Sequence, residues 1–85
     1  MLLSEMSNGS HAVVEKVECP SGLAGPNTLR RLGELGFIAG ERVTLLRRGP
    51  GGREPLAVQV GDTIFALRLI EADCIAVVPA QRSAA

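Results

Sequence analysis

The fold is decided by residues 56–69, which read LAVQVGDTIFALRL. Residues 56–60 alternate between apolar and other side chains, as in a strand with one buried face. Gly61-Asp62 follows as a two-residue turn, because glycine at the first position supplies the positive φ that such turns require. Residues 63–69 return as the partner strand. The stretch therefore predicts a β-hairpin, and the inward residues of its first strand are Leu56, Val58 and Val60.

Three further segments are predicted to be strands. Residues 42–48 (RVTLLRR) place Val43 and Leu45 on one face. Residues 12–18 (AVVEKVE) alternate imperfectly, but their β-branched content favours a strand. Residues 74–78 (CIAVV) form the last strand. Together with the hairpin, these segments predict about five strands.

One short helix is predicted between the first two strands. Asn27 or Thr28 can cap its beginning, and leucines recur at near-helical spacing from Leu29 to Leu35. Gly36 stands where a left-handed residue would end the helix. The glycine in the middle costs about 1 kcal/mol relative to alanine, so this helix depends on packing against the sheet.

These elements predict an all-β fold with one short helix, arranged as a small β-barrel. Closure into a barrel removes the exposed edges that a thin sheet would leave, and the helix would plug one end. Residues 70–73 are too short for an α-helix and are predicted to form one 3₁₀ turn. A chain of 85 residues allows a single domain. We assign that domain to residues 1–79 and a flexible C-terminal tail to residues 80–85.

Composition excludes several classes of function. Nine Lys and Arg residues balance nine Asp and Glu residues. A general nucleic-acid binder or a polybasic membrane anchor needs a surplus of cations, so neither is expected. Phe37 and Phe65 are the only aromatic side chains. Proline-rich peptide grooves and single-strand stacking platforms are built from several exposed rings, so they are excluded as well.

The cysteines and the N-terminal residues predict a cytoplasmic protein. Cys19 and Cys74 lie far apart and form no CxxC motif, although one disulfide is arithmetically allowed. Residues 1–5 (MLLSE) have neither the basic start nor the apolar stretch of a secretory signal. No apolar run is long enough to span a bilayer. We therefore expect two reduced thiols that fill the core.

No catalytic constellation is present, and the chain is predicted not to be an enzyme. It contains one histidine and no serine or cysteine in a recognisable nucleophile pattern. Residues 49–53 (GPGGR) suggest a phosphate-binding loop, but they lack its lysine and its G-x-x-x-x-G-K spacing. These residues also join two predicted strands, so a hairpin loop is the better interpretation.

One metal site is considered. His11 and Glu15 share a face if the first strand is regular, and imidazole and carboxylate are both metal ligands. The alternative is an exposed imidazole at a strand edge. A site within one chain would need a third ligand, from Cys19, Cys74 or another acid. A weakly bound divalent ion that bridges two chains is therefore favoured over a dedicated iron site, and no cofactor is expected to be required.

Four groups of residues, in this order and spacing, resemble a known family. They are Leu3-Ser4-Glu5-Met6 with Gly9 and Ala12-Val13-Val14, Leu29–Leu32 with Leu35–Glu41, Arg47–Gly52 with Pro55-Leu56, and Ala66-Leu67-Arg68 with Glu71-Ala72. The chain resembles the FeoA family over residues 2–79. FeoA proteins are small cytosolic components of the bacterial ferrous iron transport system. The resemblance implies an SH3-like barrel.

The resemblance also implies a function and a partner. FeoA proteins are thought to act with FeoB, a membrane permease with a cytosolic G-protein domain. We expect a non-enzymatic accessory protein that docks on the cytosolic part of FeoB and reaches the membrane only through it. One alternative is an activator of GTP hydrolysis by the permease. Another is a metal-responsive module, because the barrel is similar to the C-terminal module of some iron-dependent repressors.

The candidate partner-binding residues lie on the helix and at its exit. Leu35, Phe37 and Ile38 form an apolar knuckle that is either part of the core or, where exposed, a docking patch. Arg30 and Arg31 lie on the helix near an acid, which is typical of a solvated surface. An arginine supplied to the GTPase of the partner is the sharper alternative. An exposed strand edge and zero net charge also leave a homodimer open.

Overall fold

The computed structural model describes residues 1–18 and 25–80. Its strands and helices follow one another along the chain as β1 (His11–Val17), α1 (Pro26–Leu35), β2 (Arg42–Arg48), β3 (Leu56–Val60), β4 (Thr63–Leu67), α2 (Leu69–Ala72) and β5 (Ile75–Pro79). Short 3₁₀ turns occupy Leu3–Glu5 and Pro50–Gly52. Cys19 and most of the predicted C-terminal tail lie outside the described residues.

The five strands form one antiparallel sheet in the order β4-β3-β2-β1-β5. The five predicted strands are confirmed. Within residues 1–18 and 25–80, β4 and β5 do not pair, so the sheet is open and the predicted closure is wrong. Leu2 forms a bridge with Ala76, and the Val77 N–H donates to the Met1 carbonyl at 2.8 Å. The N-terminal residues therefore cover the outer edge of β5, where a closing strand would have paired.

The predicted hairpin is confirmed as β3 and β4. Val60 pairs with Thr63 across the two-residue turn, and Gly61 has a φ of +60°. Residues 56, 58 and 60 are buried, as the alternation predicts. The same holds for β2, whose inward residues Val43 and Leu45 are fully buried.

The core lies on the inner face of the sheet and is filled by apolar side chains from every part of the described chain. Leu32 of α1, Phe37 after it, and Leu3 and Met6 before β1 join the strand residues there. Burying a leucine or phenylalanine side chain stabilises the fold by roughly 1.5–3 kcal/mol before its entropy loss is counted. The helix and the N-terminal segment therefore stabilise the sheet as well as covering it.

Helix α1 begins at a proline and is ended by a glycine, and the predicted cap at its beginning is wrong. Gly25 is the residue before the helix, Pro26 is its first residue, and no side chain caps it. Proline suits this position because its φ is already helical and its missing N–H would have had no partner. The predicted end is confirmed, since Gly36 is left-handed with a φ of +114°.

The segment before β5 forms an α-helical turn and not the predicted 3₁₀ turn. The Asp73 N–H donates to the Leu69 carbonyl at 2.8 Å, and the Ala72 N–H donates to the Arg68 carbonyl at 3.0 Å. A carboxylate oxygen of Glu71 accepts from the Arg68 N–H at 2.8 Å. This side-chain bond closes the first turn of α2, which allows so short a helix.

Strand β1 contains an irregularity that explains its imperfect alternation. Its register against β5 shifts between Val14 and Lys16. Ala12 and Val14 are buried, whereas Val13 and Val17 are half-buried. A bulge of this kind adds one residue to a strand and breaks the two-residue period.

Candidate partner-binding site

The chain turns sharply where α1 ends, and this turn separates two neighbouring apolar side chains. The Gly36 N–H bonds back to the Leu32 and Gly33 carbonyls, and the Phe37 N–H donates to the Leu32 carbonyl at 3.0 Å. Phe37 is then directed into the core and is 1% exposed, whereas Ile38 is 52% exposed. The local backbone thus presents one of the two to the interior and the other to solvent.

Phe37 is a core residue, so it does not belong to an exposed docking patch. Its ring lies against that of Phe65, with centroids 6.0 Å apart and planes inclined at 53°. This tilted arrangement is a favourable geometry for two aromatic rings. Of the predicted apolar knuckle, Leu35 is half-buried and Ile38 is exposed. We call Leu35 and Ile38 the helix-exit patch.

The two predicted arginines have different surroundings. Both are exposed, but Arg31 donates from Nη1 to Glu71 Oε2 at 2.8 Å. This ion pair joins α1 to α2. Arg30 takes part in no ion pair among the described residues. Of the two, Arg30 is therefore the one free to reach a partner.

Glu71 has a structural role that was not predicted from the sequence. It is 8% exposed and is the only charged side chain buried among residues 1–18 and 25–80. One carboxylate oxygen accepts from Arg31 and the other from the Arg68 N–H. The spacing from Arg68 to Glu71 is that of a capping box, and this was the available signal.

Arg48 is a second structural residue that sequence reasoning missed. Its Nη2 donates to the carbonyls of Ser4 and Met6, at 2.5 and 2.8 Å. The guanidinium of this half-buried residue therefore holds the N-terminal segment against β2. Arg47 beside it is exposed.

The structure does not assemble a complete metal site around His11. His11 is exposed, and its Nδ1 lies 2.8 Å from Thr44 Oγ1. The bulge after Val14 removes the regular strand on which the pairing with Glu15 depended. In the described part of the chain, no three His, Cys, Asp or Glu residues lie together as metal ligands. A site shared between two chains stays a prediction.

The other ligands considered for that site are engaged elsewhere or lie outside the described residues. Glu18 forms an ion pair with Lys16 at 3.0 Å. The hydrogen bond to Glu18 and the negative charge of Glu18 raise the pKa of the Lys16 ammonium. Cys74 is buried, and its Sγ donates to the Ile70 carbonyl at 3.3 Å. Cys19 is not among the described residues.

A family comparison decides where this domain belongs. The sequence model of the FeoA domain matches residues 1–79. The chain belongs to the FeoA family. No curated protein gives a significant match to it. Within the described residues, no helix of this FeoA-family chain is both long and apolar enough to cross a membrane.

Solved structures agree with that membership. The FeoA of Stenotrophomonas maltophilia, solved in complex with zinc and described as an SH3 domain protein, is 49% identical, with a TM-score of 0.81 over 92% of this chain and 89% of that one. The FeoA protein of Chlorobium tepidum is 34% identical, with a TM-score of 0.79 over 93% of this chain and 70% of that one. The predicted SH3-like fold is confirmed.

A third similarity concerns the fold alone. A manganese-dependent transcriptional repressor is 21% identical, with a TM-score of 0.77 over 94% of this chain and 41% of that one. The repressor therefore contains a domain of the same architecture within a longer protein. At this identity the likeness carries no statement about metal response.

Proposed function

We propose that this FeoA-family protein is a non-enzymatic accessory component of ferrous iron uptake. In this proposal it acts in the cytoplasm and docks on the cytosolic part of the FeoB permease through the helix-exit patch. Family membership supports the link to iron transport. The exposure of Ile38 beside the buried Phe37 supports the choice of surface.

Ile38 carries the proposal because its position is fixed by its neighbours. Its side chain is 52% exposed, while the preceding residue, Phe37, is anchored in the core at 1% exposure. The Gly40 N–H donates to the Val14 carbonyl at 2.8 Å, and the Glu41 N–H donates to the Ile38 carbonyl at 3.0 Å. Because the backbone around Ile38 is held by these contacts, the residue loses little conformational freedom on binding, which favours affinity.

The charged residues beside the patch suggest how docking could affect the permease. Arg31 lies one helical turn before Leu35, but its guanidinium is held by Glu71. Arg30 is exposed and unengaged among the described residues, so it is the arginine that could stabilise charge in a partner's GTPase site. Activation of GTP hydrolysis would be an addition to docking, not a substitute for it.

The direct experiment measures binding of the untagged protein to the FeoB GTPase domain from the same organism, with GTP turnover followed in the same samples. We expect binding that Ile38→Lys weakens by tenfold or more, about the loss for an interface anchor. Val78→Lys is the matched control. Val78 is likewise an exposed apolar residue, at 43%, and lies outside the patch.

The outcomes separate the alternatives. Binding with unchanged turnover supports a docking protein, and faster turnover that Arg30→Ala removes supports an activator. If the GTPase domain does not bind in any nucleotide state, the same variants are tested on the full permease in nanodiscs. Absence of binding there as well, or equal losses for Ile38→Lys and Val78→Lys, would overturn the proposal. A dependence of the oligomeric state on Fe(II) would instead favour the metal-responsive alternative.

A further inference from the structure

One edge of the sheet is covered by another part of the described chain, and the other edge is not. The edge of β5 is covered by Met1 and Leu2, through the Val77 bond to Met1 and the bridge from Leu2 to Ala76. Strand β4 is the other end of the sheet, and no described element pairs with its outer side. An uncovered edge is a template for pairing with another strand.

The register of the hairpin shows which backbone groups this edge presents. Val60 and Thr63 flank the two-residue turn and form a hydrogen-bonded pair, so the polar groups of Thr63, and of every second residue after it, point to β3. The N–H and C=O groups of Ile64 and Ala66 therefore point outward. Both residues are exposed.

The usual protections of an edge strand are missing from β4. Its residues, TIFAL, include no charge and no proline. Ile64 is 59% exposed, the highest value among the large exposed apolar side chains of the described chain. Native edges are normally blunted by lysine, proline or a bulge. An edge strand that lacks these features is expected to pair with another strand.

The sequence around Phe65 is complementary to itself when it runs antiparallel. With Phe65 opposite its own copy, Ile64 faces Ala66 of the second chain, and these two residues exchange both backbone hydrogen bonds. The two-fold axis repeats that pair, so the ladder has about four bonds. At each end of the ladder, Asp62 of one chain stands opposite Arg68 of the other.

The charges at the ends of this ladder favour the second copy over an unrelated strand. Asp62 and Arg68 are both exposed, and neither forms an ion pair among the described residues. The backbone N–H and C=O of Arg68 are already bonded within α2, so the ladder stops at Ala66. The side chain of Arg68 is still able to pair with an opposite charge. The chain carries no net charge, so two copies do not repel each other at long range.

We propose that two copies of this chain pair antiparallel through β4, centred on Phe65, to form a weak two-fold dimer with one continuous ten-stranded sheet. The Phe65 rings of the two copies then lie side by side on the half-buried face, each next to its own Phe37. An interface of one short strand pair falls below the size of stable complexes, so a dissociation constant on the order of 0.1 mM is expected.

Sedimentation velocity of the untagged full chain, from about 0.01 to 1 mM, tests the dimer. Ile64→Lys should abolish association, because each chain would then bring a positive charge to the same short ladder. Val78→Lys is the matched control, since Val78 is 43% exposed on the strand at the opposite edge. Circular dichroism and thermal unfolding of each variant establish that it is folded.

Charge reversal tests the register itself. Asp62→Lys and Arg68→Glu should each raise the dissociation constant about tenfold, because each places like charges opposite one another. The double variant should return to within about threefold of the parent value. A mixture of the two single variants should associate more tightly than either alone, because both end pairs become attractive in the mixed dimer. A folding defect cannot produce that gain.

Three results would overturn the proposal. The first is a protein that stays monomeric across the whole concentration range. The second is a dimer that Ile64→Lys leaves intact, because the contact would then involve another surface. The third is a pair of charge variants that are not rescued by combination or by mixing, because the proposed register would then be wrong.

Discussion

At the scale of single residues, Glu71 links α1, α2 and the end of β4. Glu71→Ala removes the partner of both Arg31 and the Arg68 N–H, and should lower the free energy of unfolding by about 1.5–3 kcal/mol. Glu71→Gln should cost less, because its carbonyl oxygen can still accept from Arg68. Urea denaturation ranks the variants, with Glu41→Ala at an exposed carboxylate as the control. Equal stability of all three variants would contradict this role.

Truncation of two neighbouring apolar residues should change the stability of the protein by very different amounts. Phe37→Ala empties space in the core beside Phe65, and should destabilise the protein by about 3–5 kcal/mol. Ile38→Ala removes a side chain that is largely in water and should change stability by about 0.5 kcal/mol or less. Thermal unfolding measures both. A large loss for Ile38→Ala would show that its side chain packs inside the protein.

At the scale of elements, α1 offers a matched pair of glycine substitutions. A Cβ at Gly33 would meet no atom within 4 Å, so Gly33→Ala should stabilise the helix by about 0.5–1 kcal/mol. A Cβ at Gly36 would lie 3.3 Å from Val60 Cγ1, and φ there is +114°. Gly36→Ala should therefore destabilise by about 1–2 kcal/mol. Denaturant midpoints that shift in the same direction for both variants would contradict this explanation of the helix end.

Elements with local signals could be predicted from the sequence, and those that depend on tertiary contacts could not. The β3–β4 turn and the end of α1 each require a glycine at one position, and the sequence has it there. The bulge after Val14 carries no such signal, because it follows from how β1 pairs with β5. Nor could the pattern decide between Phe37 and Ile38, since either apolar residue could have faced the core.

Sheet closure failed as a prediction for a related reason. The sequence around Met1 and Leu2 has no strand pattern, so it did not predict that these residues cover the edge of β5. The structural role of Arg48 was equally hidden, since its acceptors are backbone carbonyls and not acidic side chains. For the candidate docking site, the apolar group at the helix exit could be read from the sequence, whereas the exposure of each of its residues required the structure.

At the scale of the whole molecule, Arg48 should control how firmly the N-terminal segment covers the sheet. Arg48→Ala removes the bonds to Ser4 and Met6, so local opening should become easier and the Val77 amide should exchange faster with solvent. Hydrogen exchange followed by NMR measures this rate directly. Arg47→Ala, at the exposed neighbour, is the control. Unchanged exchange at Val77 in Arg48→Ala would mean that the segment is held by its apolar contacts alone.

In the proposed function, this FeoA-family protein docks on the permease through the surface at the end of α1. Hydrogen exchange of the protein, alone and bound to full-length FeoB in nanodiscs, tests it most directly. Binding is expected to slow exchange across residues 35–41 and to leave exchange at the covered edge of β5 unchanged. Protection confined to β5 or to the loop 49–55, with none at residues 35–41, would contradict it.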